Sequence, residues 1–238
     1  MKALKSFAEY LFFTSYSRLI VQEKQYTYLI LRIVLAVDKM LNFRYLKKYA
    51  RRQHAAFSLE DEKQIIALIK NNVIDIGSGM GYWGLHLMGS GREIVAIELS
   101  RPYIQLTKLL GVYSSVILAS ADVLPIRSDY FDTALALEII EHLGKQRGQL
   151  LIEEAKRVSN RLILSTPQNP SSNLDLPKWV PKTEHHLSRW TKENFQVEGF
   201  TTSTLGESFL AVYFRNIKNN NLRLKAKNIP FPNQKTKL

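Results

Sequence analysis

Twelve residues, Val73-Ile-Asp-Ile-Gly-Ser-Gly-Met-Gly-Tyr-Trp-Gly84, limit what this chain can fold into more than any other stretch. A short β-branched run reads as a buried strand, and glycines at 77, 79, 81 and 84 follow it. Glycine tolerates positive φ and lets a ligand reach the main chain with no Cβ in the way. The apolar residues Trp83, Leu85 and Leu87 then read as a helix, whose first amides are unpaired donors suited to a carboxylate or phosphate. Strand, glycine turn and helix form the nucleotide-type corner of a parallel α/β sheet. Two cofactor classes fit it. Gly79-x-Gly81-x-x-Gly84, with Glu98 about 20 residues on, matches the dinucleotide fingerprint. Asp75-x-Gly77-x-Gly79-x-Gly81 is an offset pattern that adds a carboxylate inside the strand.

The remaining pattern says which sheet this corner belongs to. Ser58, followed by acids at 60, 61 and 62, reads as a helix start with Ser58 as cap. Further strands are expected at Glu93–Leu99, Val116–Ala121, Phe131–Leu137 and Arg161–Thr166, the last stopped by Pro167. Helices are expected at 103–110, 145–158 and near 191–198. Thr201–Leu205 and Phe209–Phe214 face each other across Gly206-Glu-Ser208 as a hairpin. Alternating strands and helices with a closing hairpin predict a doubly wound, mostly parallel seven-stranded sheet over residues 58–215.

Charge separates that domain from its flanks. The chain carries +12 over 238 residues, and residues 1–56 hold 11 Lys/Arg against 3 Asp/Glu. Residues 215–238 hold 7 basic and no acidic residues, which leaves 57–214 at −3. Residues 1–57 are expected to form a basic helical N-terminal cap, because Leu29, Ile33, Ala36, Val37, Met40 and Leu41 recur at helical spacing. Residues 216–238, with Asn219-Asn-Asn221 and two prolines, read as a basic disordered tail. Such flanks suit RNA, an anionic membrane surface or an acidic substrate, or simply keep the protein soluble. Tyr28–Val37 is apolar, but Arg32 and Asp38 leave it short of the roughly 20 residues a membrane span needs. Glu9 and Arg18 interrupt any signal-peptide core, and the absence of cysteine excludes disulfides and thiolate metal sites. The expectation is a cytoplasmic protein with no integral membrane span.

Four landmarks in order resemble the class I S-adenosylmethionine (AdoMet) methyltransferases, of the methyltransferase type 11 and ubiquinone-pathway O-methyltransferase kind. Val73–Gly84 resembles their first motif, and Glu98 stands at the end of the second strand. Asp122-Val123 follows the third, and Asp129-Tyr-Phe-Asp132 leads into the fourth. The resemblance spans about residues 60–215 and implies a Rossmann-like fold whose last strand is reversed. It implies that Asp75, Ile76, Gly77, Ser78, Gly79 and Gly81 hold the methionine part of the cofactor. It places Glu98 and Leu99 at the ribose, Asp122 and Val123 at the adenine edge, and Glu138 beside the cofactor at the strand-four exit. Methyltransferases with an Asp/Asn-Pro-Pro-aromatic motif after the fourth strand are disfavoured, since Leu137-Glu-Ile-Ile-Glu141 stands there.

Glu138-x-x-Glu141-His142, with His186 ahead of Trp190-Thr191, suggests where chemistry could occur. The set is similar to the metal-binding arrangement of ubiquinone-pathway O-methyltransferases and of 2′-O-methyltransferases acting on small-RNA 3′ ends. Ser165-Thr-Pro-Gln-Asn169 also resembles the latter. The resemblance implies Glu138, Glu141, His142 and His186 as ligands of an Mg2+-type ion. The same residues without a metal would cap the loop, with His186, His142 and Glu141 as candidate acid–base groups. The expected acceptor is an oxygen or nitrogen of a small molecule, including lipid-like quinone or isoprenoid compounds. RNA 2′-O-methylation and a non-catalytic AdoMet-binding module are the alternatives.

Overall fold

The computed structural model describes residues 57–169 and 185–215. The N-terminal cap expected over 1–57, apart from Phe57, the 170–184 part of the crossing loop and the 216–238 tail lie outside the described residues.

Helix α1 (Leu59–Leu68) starts where the sequence placed it. Ser58 accepts from the Asp61 amide, and the Asp61 carboxylate accepts from the Ser58 amide, a reciprocal cap that satisfies two otherwise orphaned donors. The helix stops when Ile69 turns extended, at φ −76° and ψ 132°. The chain then enters β1 (Val73–Ile76), all of whose residues are buried. Strands β2 (Ile94–Glu98) and β4 (Thr133–Leu137) are buried throughout as well, as parallel strands covered on both faces must be. Strand β3 (Ser115–Leu118) lies at one edge, and β5 (Arg161–Pro167), β7 (Ser208–Phe214) and β6 (Thr201–Leu205) complete the sheet.

The order is β3-β2-β1-β4-β5-β7-β6, with β7 antiparallel to both neighbours and the other pairs parallel. The expected seven-stranded, doubly wound sheet with a reversed final strand is what forms. Alternate strand residues feed two cores. Ile74, Ile76, Val95, Ile97, Ala134, Ala136, Leu162 and Leu164 pack with α4 (Lys145–Val158) and with Phe195 of α5 (Lys192–Val197). Val73, Ile94, Leu135, Leu137 and Ile163 pack with α1 and with α2 (Tyr82–Leu87). A one-residue slip of any central strand would exchange these sets.

Some boundaries differ from expectation, and the reasons are local. Strand β3 ends at Leu118 rather than Ala121; the Ala119 amide makes one more bond to Glu98, after which the chain leaves the ladder. Strand β4 starts at Thr133 rather than Phe131, because Phe131 pairs with Ser159 in an isolated bridge while Asp132 and Thr133 both donate to the Asn72 carbonyl. Pro167 closes the β5 ladder opposite Ser208 instead of standing outside it. Helix α3 (Arg101–Leu110) takes in Pro102 near its first turn, where no amide bond is lost.

Candidate active site

Strand order reverses between β1 and β4, and the crevice beyond the carboxyl ends of such strands is where open α/β sheets bind ligands. A cavity of about 410 Å3 lies there, within the range of small-molecule sites. Its wall runs from Gly77 and Gly79 across Glu98 and Leu99 to Ser120 and Ala121, and returns through Glu138, Ile139 and His142.

The glycine turn owes its shape to its residues. Gly77, Gly79 and Gly81 have φ of 74°, 50° and 85°, a region side chains other than glycine's rarely adopt. A Cβ on Gly77 would come within 2.0 Å of Ile139, so the turn and the strand-four exit interlock. At Gly79 nothing lies within 4 Å of a Cβ position, which leaves the main chain open to a ligand. Gly84 serves packing instead: a Cβ there would meet the Tyr113 ring at 2.6 Å.

Glu98, the last residue of β2, is 9% exposed and lines the cavity. One carboxylate oxygen accepts from the Gly79 amide at 2.8 Å; the other accepts from Leu99 at 2.8 Å and Ser100 at 2.7 Å. Three amides therefore fix its orientation. Asp75 is placed differently. It is 2% exposed, stands behind the wall, and accepts from the Tyr113 hydroxyl at 2.6 Å. The same hydroxyl accepts from the Gly84 amide at 3.2 Å. Burial pushes the Asp75 carboxyl up to about 7, against the opposing pull of the Tyr113 bond. Asp122 is also buried, but its carboxylate is gripped by Arg147, which holds its pKa down at about 2.

Of the expected cofactor residues, Gly77, Gly79, Glu98, Leu99 and Glu138 line the cavity. Asp75, Ile76, Ser78, Gly81, Asp122 and Val123 are not among its lining residues, and Val123 is 68% exposed. Arg147, Tyr103, Leu143 and Leu187 line it and were not foreseen. Tyr113 was missed too. An aromatic in the short link Gly111–Ser115, set against the glycine at 84, was the available signal.

The strand-four exit forms the opposite wall. Glu138 adopts φ 54°, a strained value for a non-glycine residue. Its amide donates to the Ser165 hydroxyl at 3.0 Å, and that hydroxyl donates to its carboxylate at 2.7 Å. Glu141, 1% exposed in the 3-10 turn Ile140–His142, accepts from the Thr166 hydroxyl at 2.9 Å. Burial raises the pKa of both carboxyls, that of Glu141 well above the usual range, and Glu138 adds to the effect at Glu141. The Leu187 and Ser188 amides both donate to the Glu141 carbonyl, at 2.7 and 3.1 Å. Trp190 anchors this segment against α4, where a Cβ at Gly148 would lie 2.4 Å from its ring. His186 is thereby brought edge-on to His142, with ring centroids 4.9 Å apart.

Among the described residues, Glu141, His142 and His186 bring ligating atoms within 4.8 Å of one another. Glu138, expected as a fourth ligand, is not part of that convergence and is held by Ser165. Two imidazoles and one carboxylate are a poor match for Mg2+, which favours oxygen donors in strict octahedral geometry. The residues do not fit an Mg2+ site.

Comparison with known proteins bears on the chemistry. The family model described as a methyltransferase domain matches residues 74–161, from β1 to the start of β5. No curated protein sequence matches the chain. The PH0226 protein of Pyrococcus horikoshii superposes with a TM-score of 0.53 at 18% identity, covering 65% of this chain and 87% of that one. A SAM-dependent methyltransferase of Thermotoga maritima gives 0.53 at 18%, covering 73% and 97%. A protein of Rhodobacter sphaeroides described as a Zn-dependent alcohol dehydrogenase reaches 0.54 at 10% identity, covering 68% and 91%. At these identities the superpositions speak for the fold, while the family match speaks for the chemistry. Among the described residues no helix is long and apolar enough to cross a membrane. The sheet order, the glycine turn and the family match agree: the sheet is that of a Rossmann-like methyltransferase fold, and residues 74–161 match the methyltransferase domain family.

Proposed function

We propose that this enzyme methylates an oxygen or nitrogen of a small molecule with an apolar body, the acceptor entering between the strand-four exit and Leu187. The observation that carries this reading is the second wall of the cavity. Ile139, Leu143 and the 60% exposed Leu187 form an apolar end, and His142 is the titratable imidazole set into it. An apolar pocket with few convergent polar groups is how a small hydrophobic acceptor is held and oriented.

The residues present fit AdoMet. Gly79 leaves room for main-chain contact, and its neighbours supply amides at the start of α2 for a carboxylate. Glu98, already oriented by backbone amides, is the carboxylate assigned to the ribose hydroxyls. Asp122 serves the adenine edge, with Ser120 and Ala121 as the adjoining wall. Asp75 supports the glycine turn from behind through Tyr113. When bound, AdoMet supplies an activated methyl group on a sulfonium. The protein's tasks are to align the acceptor, exclude water and, for a hydroxyl or ammonium acceptor, take a proton. His142 is placed to take it. His186 and Glu141 keep its ring in position from outside the wall.

The RNA reading draws on the basic flanks outside the described residues and on the context of His186, and the apolar end of the cavity favours the small molecule. The deciding experiment is transfer from labelled AdoMet into cell extract fractionated into lipid, protein and RNA. Label in the organic-soluble fraction is expected, and label confined to RNA would overturn the proposal. The cofactor half is tested separately: S-adenosylhomocysteine should raise the melting temperature by mass action, while NAD should not.

A further inference from the structure

Arg147 belongs to the cavity wall, yet no role above accounts for it. It is the third residue of α4, its side chain is 51% exposed, and it lines the cavity beside Ser120. Its guanidinium does not point freely into the space. Nε donates to Asp122 Oδ2 at 2.6 Å, and Nη2 donates to Asp122 Oδ1 at 2.9 Å and to the Ser120 hydroxyl at 2.8 Å. Ser120 in turn donates to Asp122 Oδ1.

We infer that Arg147 sets the base specificity of the cofactor site, by fixing the plane of the Asp122 carboxylate so that its remaining lone pair accepts from an exocyclic amine. The inference rests on the assignment of Asp122 to the adenine edge; Asp122 itself stands behind the lining, which its partners Ser120 and Arg147 form. A carboxylate has about four acceptor positions, and the fork of Arg147 with the Ser120 hydroxyl fills three of them. The bidentate geometry locks rotation about the carboxylate bond, which a single point contact would not do. The open position then faces a donor favourably and a carbonyl oxygen unfavourably. Adenine presents an amine at that edge; hypoxanthine presents a keto oxygen. On this view Arg147 is a positioning residue that acts through Asp122.

The test is calorimetric binding of S-adenosylhomocysteine and S-inosylhomocysteine to the full chain and to R147A, R147K and D122N. The wild-type protein should prefer the adenosyl ligand by roughly tenfold or more, the range for a hydrogen bond to a charged group. In R147A the adenosyl affinity should fall several-fold and the preference should shrink toward parity, as in D122N. R147K keeps the charge without the fork and should show an intermediate preference. A half-exposed ion pair with only a surface role would leave the preference unchanged, and an unchanged ratio in R147A and R147K overturns the inference. If R147A fails to fold in a thermal scan, the ratio in R147K decides. Binding of neither ligand to the wild-type protein would instead sink the cofactor assignment, a separate outcome.

Discussion

The two walls of the cavity treat carboxylates in opposite ways. On the glycine-turn side, Glu98 is met by three amides and Asp122 by a guanidinium, so charge is stabilised before any ligand arrives. On the strand-four side, Glu138 and Glu141 accept from the hydroxyls of Ser165 and Thr166, and burial raises their pKa. The first arrangement suits permanent recognition of a polar cofactor. The second suits groups that hold or pass protons near a neutral acceptor. One fold thus carries a fixed electrostatic half and a titratable half, divided at the switch between β1 and β4.

The largest effect that could break this contrast is at His142. His142→Ala should lower kcat by about 10²–10⁴, the usual span for a lost general base, and leave S-adenosylhomocysteine affinity within about threefold. Equal losses in both quantities would show that the walls are not functionally separate. Next comes Asp75, which sits on the cofactor side but titrates like the other. Its pKa in the fold, about 7, exceeds its ordinary value of 3.8, so the folded state retains a proton that the unfolded chain releases. Its contribution to stability therefore declines as pH rises from about 4 through 7, by at most about 4 kcal/mol. In ligand-free denaturation, Asp75→Asn should gain stability relative to wild type across that window. A constant difference would return Asp75 to the charged half.

Smaller again, Glu98→Ala should weaken S-adenosylhomocysteine binding by roughly 10- to 100-fold with kcat at saturation little changed. Unaltered affinity would remove Glu98 from the site. The smallest expected effect is that of a chelator, which should leave turnover as it was. Activity lost to EDTA and restored by a transition metal would make Glu141, His142 and His186 a ligand set and redraw the titratable half.

What was legible in the sequence was local. Positive φ in the glycine turn, the Ser58 cap and the alternation of strands with helices all depend on residues close in the chain. Glu98 could be placed because a strand end and a spacing identify it. Arg147 and Tyr113 could not, because their partners Asp122 and Asp75 lie 25 and 38 residues away and come near only when the sheet forms. The fourth metal ligand failed for a related reason. Glu138, Glu141 and His142 are neighbours in sequence, but the backbone at Glu138 turns left-handed and delivers its side chain to Ser165.

That turn has a consequence for anyone who engineers the protein. A glutamate at φ 54° gives up roughly 1–2 kcal/mol that glycine would recover. Selection for thermal tolerance alone would therefore drift toward Glu138→Gly, a variant sturdier in its backbone and deprived of a carboxyl group at the cavity wall. At position 138, backbone ease and the carboxyl group of the cavity wall therefore pull in opposite directions.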